Sequence, residues 1–156
     1  MRLPKRLSAI AGLVPKGSRI CDVGTDHALL PVWLIVNGIC ETAIATDISE
    51  NCLARAEETA RAYGVYDKIS FIRSDGLAEV NLDAWDTLVV AGMGGETIIS
   101  IIECLEGVNV GKTLILQPNT KQLELSLFLR ERGFEITNEI IVRDRRRNYL
   151  IEVIAN

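Results

Sequence analysis

The chain of 156 residues is poor in several features that would announce a particular class of protein. Aromatic side chains make up only 5% of it and the formal net charge is −4, so no whole-chain basic character marks a nucleic-acid binder. Any contact of that kind must rest on local patches. A single histidine, His27, and four cysteines without a CxxC pair offer no metal-ligand spacing, and no metal is expected. Cys21, Cys40, Cys52 and Cys104 lie irregularly within apolar-periodic segments, which reads as buried thiols. No apolar run approaches the roughly 18 to 20 residues that cross a bilayer. Met1 to Arg6 is basic but leads into an amphipathic pattern rather than a signal segment, so a cytoplasmic protein without membrane contact is expected.

A regular alternation is present instead. Arg19 to Val23, Thr42 to Thr46, Lys68 to Ile72, Thr87 to Ala91 and Lys112 to Leu116 are runs rich in β-branched residues, as in buried strands. Leu53, Ala56, Ala60 and Tyr63 share one helical face, as do Ile98, Ile101, Ile102 and Leu105, and Leu7, Ile10, Ala11 and Val14 repeat that spacing before the first strand. Strands alternating with helices require right-handed crossovers, which predicts a doubly wound, Rossmann-like α/β fold. The rhythm breaks after a helix around Leu123 to Arg130. Glu135 to Val142 and Tyr149 to Ile154 are strand-like with only the polar stretch Arg143 to Asn148 between them. The expected architecture is therefore a seven-stranded, mostly parallel sheet with a C-terminal antiparallel hairpin and helices on both faces, in one domain over residues 1–156. Plain dinucleotide-binding folds do not end this way, whereas class I methyltransferases do.

In such a sheet the ligand lies beyond the carboxyl ends of the strands, so the loops there carry the chemistry. The first is Asp22-Val23-Gly24-Thr25-Asp26-His27, where Gly24 permits a tight turn and the GxGxxG fingerprint is missing. Its carboxylates would repel a pyrophosphate and suit a sulfonium cofactor with a cationic ammonium. The second strand ends in Asp47, followed by Ile48, where Rossmann-like proteins place a ribose-binding carboxylate; a helix N-terminal acid is the plainer reading. Ser74-Asp75-Gly76-Leu77 follows the third strand and could meet an adenine ring, or could be an ordinary surface turn. Ala91-Gly92-Met93-Gly94-Gly95 follows the fourth as an expected flexible loop. GVNVGKT, from Gly107 to Thr113, imitates a phosphate-binding loop, but its glycine spacing is one residue short and it precedes a strand.

Four segments, DVGTDHALLP (Asp22 to Pro31), SDGL (Ser74 to Leu77), AGMGG (Ala91 to Gly95) and LILQPN (Leu114 to Asn119), together resemble the bacterial tRNA (adenine-22-N1)-methyltransferase family along essentially the whole chain. The resemblance implies S-adenosyl-L-methionine as cofactor and tRNA as substrate. It places Asp22, Gly24, Asp47, Ile48, Asp75, Gly76 and Met93 at the cofactor, and Gly94, Gln117 and Pro118 at the rim where adenine enters, with Asp26, His27 and Asn119 as catalytic candidates. Two departures stand out. Leu29 occupies a position where the family usually has tyrosine, and the family's helical C-terminal domain is not expected in a chain that stops at Asn156, so tRNA binding is expected to be weak.

N1 of neutral adenine has a free lone pair, so the expected chemistry needs positioning more than proton transfer. Asp26 would meet the positive charge that develops on the ring, with His27 orienting it. Asp26 is equally readable as a helix N-cap, His27 as a helix-start residue and Asn119 as a turn-closing residue after Pro118. Arg145, Arg146 and Arg147, with Arg143 and with Arg2, Lys5 and Arg6, would contact phosphates or form a solvated loop and terminus. Competing readings are a methyltransferase for a small molecule or protein, a non-catalytic module that binds S-adenosylmethionine, and, least supported, a nicotinamide oxidoreductase. The oligomeric state is not legible.

Overall fold

The computed structural model describes residues 1–108 and 110–155; Asn109, within the 107–113 segment, and Asn156, the end of the 1–156 span, lie outside the described residues. The chain divides into two compact units, Met1–Leu3 with Val14–Val89, and Pro4–Leu13 with Val90–Asn156. Seven strands hydrogen-bond in the order β3-β2-β1-β4-β5-β7-β6.

In the first unit, β1 (Ile20–Val23) is buried at all four positions and runs parallel to β2 (Ala43–Asp47), which runs parallel to β3 (Ile69–Arg73). Pairing carries on to Asp47↔Arg73, so the three carboxyl ends finish side by side. The helix α2 (Leu29–Val36), LLPVWLIV, is apolar on every face and buries Leu30, Pro31, Val32, Leu34 and Ile35. Pro31 is tolerated because it falls in the first helical turn, where its missing N–H has no intrahelical partner to lose. By contrast α3 (Glu50–Ala62) is amphipathic: Leu53, Ala56 and Ala60 are buried. Its start is fixed by Ser49, whose hydroxyl accepts from the Cys52 amide at 3.3 Å, with Glu50 and Arg61 complementing the helix dipole at its two ends. Tyr63, expected on the same stripe, falls at the C-cap and is exposed.

The second unit contains α1 (Lys5–Ala11), α4 (Gly95–Ile102), α5 (Gln122–Glu131) and the strands β5 (Thr113–Thr120), β6 (Ile136–Asp144) and β7 (Arg147–Ala155); β4 (Thr87–Gly94) contributes Thr87–Val89 to the first unit and the rest to the second. β7 runs antiparallel to both β5 and β6, with a bulge between Ile136 and Asn138. This is the expected C-terminal hairpin. Ile98, Ile101, Ile102 and Leu105 are all buried, Leu105 from a short 3-10 turn that continues α4.

Four expectations need correction. Strand β4 does not stop at Ala91 but continues through Gly94, and β5 continues through Gln117, Pro118 and Asn119, so AGMGG and QPN are mostly strand rather than loop. The hairpin connection is not the stretch Arg143 to Asn148, because pairing reaches Asp144↔Arg147 and leaves Arg145 and Arg146 as a two-residue turn. The leading helix ends at Ala11, so Val14 is buried from beyond it. Cys21 and Cys40 are buried, and desolvation pushes their thiol pKa values up, but Cys52 is half-buried and Cys104 is exposed on the turn after α4. No helix among the described residues is long and apolar enough to cross a membrane.

Candidate active site

The carboxyl ends of β1, β2 and β3 are laced to one another by backbone and carboxylate bonds. The amides of Gly24 and Thr25 both donate to the Thr46 carbonyl at 2.9 Å, which turns the chain sharply as β1 ends. Gly24 has φ 73°, a conformation glycine adopts without steric cost. Asp47 then ties the turns together: its Oδ2 accepts from the Asp26 amide at 3.2 Å and its Oδ1 from the Ser49 amide at 2.9 Å. Its carbonyl accepts from the Ser74 amide at 3.1 Å, and Arg73 Nε donates to the Ile48 carbonyl at 3.2 Å. Asp47 therefore ties the turn after β1 to the segment before α3, whose N-cap is Ser49 and whose first-turn acid is Glu50, and is a half-buried carboxylate with further lone pairs for a ligand.

Asp22 is buried and its Oδ2 accepts from the Thr25 hydroxyl at 2.8 Å. Asp75 is exposed, beside Gly76 at φ 59°, and the Ser74 hydroxyl holds this turn by donating to the Gly76 carbonyl and accepting from the Glu79 amide. Leu77 is buried, whereas Ile48 presents 63% of its surface directly after Asp47. So Asp22, Gly24, Asp47, Ile48, Asp75 and Gly76 are gathered at one rim of the first unit, an acidic cradle with an apolar side chain beside it.

Asp26 and His27 belong to the same rim. Asp26 takes φ 52° and Ala28 φ 54°, so the segment leading into α2 holds two left-handed non-glycine residues. Such strain costs of order 1–3 kcal/mol per residue and collects at functional sites. Asp26 is not the N-cap of α2; that position falls to Ala28, and no side chain caps the helix. Its carboxylate is exposed, with Oδ1 3.7 Å from His27 Nε2 and 4.0 Å from Arg55 Nη2. At those separations neither contact is a hydrogen bond, and His27 does not orient Asp26 through one.

The second unit gathers a different set. Gln117 is fully buried, and its Oε1 accepts from Arg6 Nη1 at 2.7 Å and from the Gly92 amide at 3.1 Å. Its Nε2 donates to the Pro118 carbonyl at 3.0 Å and to Asn119 Oδ1 at 3.1 Å, and Asn119 Nδ2 donates to the Gly92 carbonyl at 2.9 Å. The result is a closed ring of hydrogen bonds through Gly92, Gln117 and Asn119, charged from one side by Arg6. Gln117 thus orients others, and Asn119 keeps one N–H and further oxygen lone pairs outside the ring. Pro118 is buried, and Met93 and Gly94 are half-buried on β4. Arg145, Arg146 and Arg147 are exposed at the hairpin turn, with Arg145 at φ 57°. Arg6 was legible only as part of a basic terminus: its partner Gln117 is 111 residues away, and no local pattern links them.

The model of the methyltransferase domain family matches residues 3–152. The chain is 31% identical over 154 residues to the tRNA (adenine(22)-N(1))-methyltransferase of Bacillus subtilis, covering 98% of this chain and 65% of that one, so it spans slightly less than two thirds of that relative's length. A solved structure of a Streptococcus pneumoniae protein provisionally assigned as a tRNA (m1A22) methyltransferase, in complex with S-adenosyl-L-methionine, superposes with a TM-score of 0.92 at 35% identity over 99% of this chain and 73% of that one. TrmK of M. capricolum, in complex with S-adenosyl-homocysteine, gives 0.88 at 29% identity over 99% of this chain and 69% of that one. The chain belongs to the methyltransferase domain family, in the branch of the bacterial tRNA (adenine-22-N1)-methyltransferases.

Proposed function

We propose that the chain is a cytoplasmic, S-adenosylmethionine-dependent methyltransferase that methylates N1 of an adenine in tRNA, position 22 by its relatives, with residues 1–156 acting as one methyltransferase domain. The observation that carries the reading is the acidic, laced rim of Asp22, Asp47 and Asp75. Its chemistry fits the cofactor: carboxylates accept from an ammonium and from ribose hydroxyls, and the exposed Ile48 offers an apolar surface to a purine. A pyrophosphate would meet three acids there. Asp22 and Asp47 hold the cofactor's polar groups, with Gly24 and Gly76 allowing close backbone approach; Asp75 and Ile48 hold its adenine end.

When bound, S-adenosylmethionine supplies an electrophilic methyl group on its sulfonium. No residue has to remove a proton from adenine, because N1 is unprotonated at neutral pH; as the N–C bond forms the S–C bond would break, its electron pair staying on sulfur in the neutral thioether of S-adenosylhomocysteine, and the positive charge passes to the ring. Asp26 meets that charge from an exposed carboxylate on a backbone held in a left-handed turn. His27 lies close enough to shift the local field. Asn119, held by Gln117, keeps one N–H with which to donate to the substrate. Arg145, Arg146 and Arg147 contact the RNA backbone. A base taken from folded RNA must first be unstacked at a cost of a few kcal/mol, which these contacts offset.

The test is methyl transfer from labelled S-adenosylmethionine to unmodified bulk tRNA, with free adenosine and a mixed protein fraction in parallel. Label in tRNA alone supports the reading. Label in protein or adenosine alone, or in none of the three, overturns it.

A further inference from the structure

The second unit holds an aromatic side chain beside two guanidinium groups that form no ion pair with a carboxylate among the described residues. The guanidinium carbons of Arg6 and Arg147 each lie 5.7 Å from the centre of the Tyr149 ring, within the range of cation–π attraction. Five other arginines are paired with carboxylates at 3.6 Å or less, Arg19 with Asp86, Arg61 with Glu57, Arg73 with Glu50, Arg130 with Glu139 and Arg132 with Glu106, whereas the arginines around this hairpin end have no such pair among the described residues. Among the described residues Arg6 and Arg147 have no such ion pair; only the backbone amide of Arg6 reaches an acid, Asp144 Oδ2, at 3.2 Å. Drawing two like charges around one ring is unfavourable unless an anion joins them. The cluster is also preorganised, since Arg6 is held at both ends: its amide by Asp144 and its Nη1 by the buried Gln117. Its remaining guanidinium donors have no partner among the described residues. The half-buried Tyr149 follows the exposed Asn148 and the Arg145–Arg146 turn, so the ring and four arginines share one end of the hairpin with Arg6.

Cations beside an aromatic face are the elements with which proteins hold an unstacked nucleotide, the ring taking the base and the arginines its phosphates. We propose that Arg6, Tyr149 and Arg147 form an RNA-contact site in which Tyr149 stacks on an unpaired base of the substrate and the two guanidinium groups take the flanking phosphates. This rests on the tRNA reading above and adds residues to it. The same Arg6 that meets a phosphate also bonds Gln117, so RNA contact is tied through one side chain to the ring that orients Asn119.

Tyr149→Leu, Tyr149→Phe and Arg147→Gln are compared with the wild-type chain by titration against unmodified tRNA at several salt concentrations, with methyl-transfer kinetics, cofactor affinity and melting temperature measured alongside. Tyr149→Leu should raise the tRNA Kd and KM about fivefold or more while leaving kcat at saturating tRNA and the cofactor Kd as in wild type, and Tyr149→Phe, which keeps the ring, should bind as wild type. Arg147→Gln should flatten the slope of log K against log salt by about 0.7 to 0.9, the value for one phosphate contact. A Tyr149→Leu chain with wild-type tRNA affinity, or an Arg147→Gln chain with an unchanged salt slope, overturns the site. If Tyr149→Leu melts early, the Arg147→Gln slope decides alone. A wild-type chain that binds cofactor but neither binds nor methylates tRNA removes the tRNA reading itself, an outcome distinct from variants that behave as an active wild type does.

Discussion

The rim of the first unit and the strand ends of the second are built by different means. At the ends of β1, β2 and β3 the chain leaves the sheet in tight turns with left-handed residues at Gly24, Asp26, Ala28 and Gly76; backbone amides fix the Asp47 carboxylate and the Thr25 hydroxyl that of Asp22. At the ends of β4 and β5 the strands run on past Ala91 to Gly94 and past Leu116 to Thr120, and a buried amide, Gln117, ties the extensions together. The first arrangement leaves acceptors pointing outward for a ligand rich in donors. The second satisfies its polar groups internally and leaves few positions open. The glycines reflect this: Gly24 and Gly76 provide a backbone conformation, whereas Gly94 and Gly95 provide room.

That contrast can be broken most severely at Gly95. A Cβ there would lie 2.5 Å from the Lys121 carbonyl oxygen and 2.9 Å from that of Thr120, both backbone atoms that cannot step aside. Gly95→Ala should cost about 3 kcal/mol or more, read as a lower midpoint in urea. Gly94→Ala meets only the Thr120 hydroxyl at 3.0 Å, which can rotate, so its loss should be clearly smaller. Equal losses would show that the glycines serve flexibility rather than packing.

The next effect belongs to chemistry. Asp26→Ala should lower the single-turnover rate at saturating cofactor by about a hundredfold, the lower range for removing one electrostatic stabiliser, with cofactor affinity nearly unchanged. An unchanged rate would leave Asp26 as a strained turn residue only. Asp47→Ala should do the reverse, weakening calorimetric binding of S-adenosylmethionine by about 1.5 to 3 kcal/mol, the range for a hydrogen bond to a charged group. Unaltered binding would confine Asp47 to its bonds with the Asp26 and Ser49 amides.

The smallest effect tests polar satisfaction in the second unit away from its strand ends. Glu152 is fully buried, and desolvation raises its pKa above the ordinary carboxylate range, against the Ser126 hydroxyl, which donates to both carboxylate oxygens at 3.0 and 3.1 Å and favours the ionised form; Glu139 raises it and Arg130 lowers it. With a folded pKa above the unfolded one, its stabilising contribution is complete below the unfolded pKa and is lost as pH rises through the folded pKa. Glu152→Gln should therefore flatten the fall in melting temperature as pH rises through the folded pKa and leave the variant the more stable of the two at the upper end of that window. A parallel shift at every pH would contradict this.

The sequence made all seven strands and the final hairpin legible, because buried strands are short β-branched runs and Arg19 to Val23 or Thr42 to Thr46 admit no helical stripe. It understated β4 and β5, because glycine, proline and amides read as loop when their tertiary partners are out of sight. Asp22, Asp47 and Asp75 could be found because strand ends are predictable from the alternation. Arg6 could not, since its role depends on a glutamine buried far along the chain and on Tyr149. The N-cap reading of Asp26 failed for a local reason: its left-handed backbone delays the helix until after Ala28.

The most direct measurement of the central claim is nucleoside analysis of tRNA after incubation with the chain and S-adenosylmethionine, using a transcript with adenine at position 22 and a matched transcript with guanine there. 1-Methyladenosine should appear in the first and not in the second. Methylation of another nucleoside, or equal 1-methyladenosine in both transcripts, would contradict it.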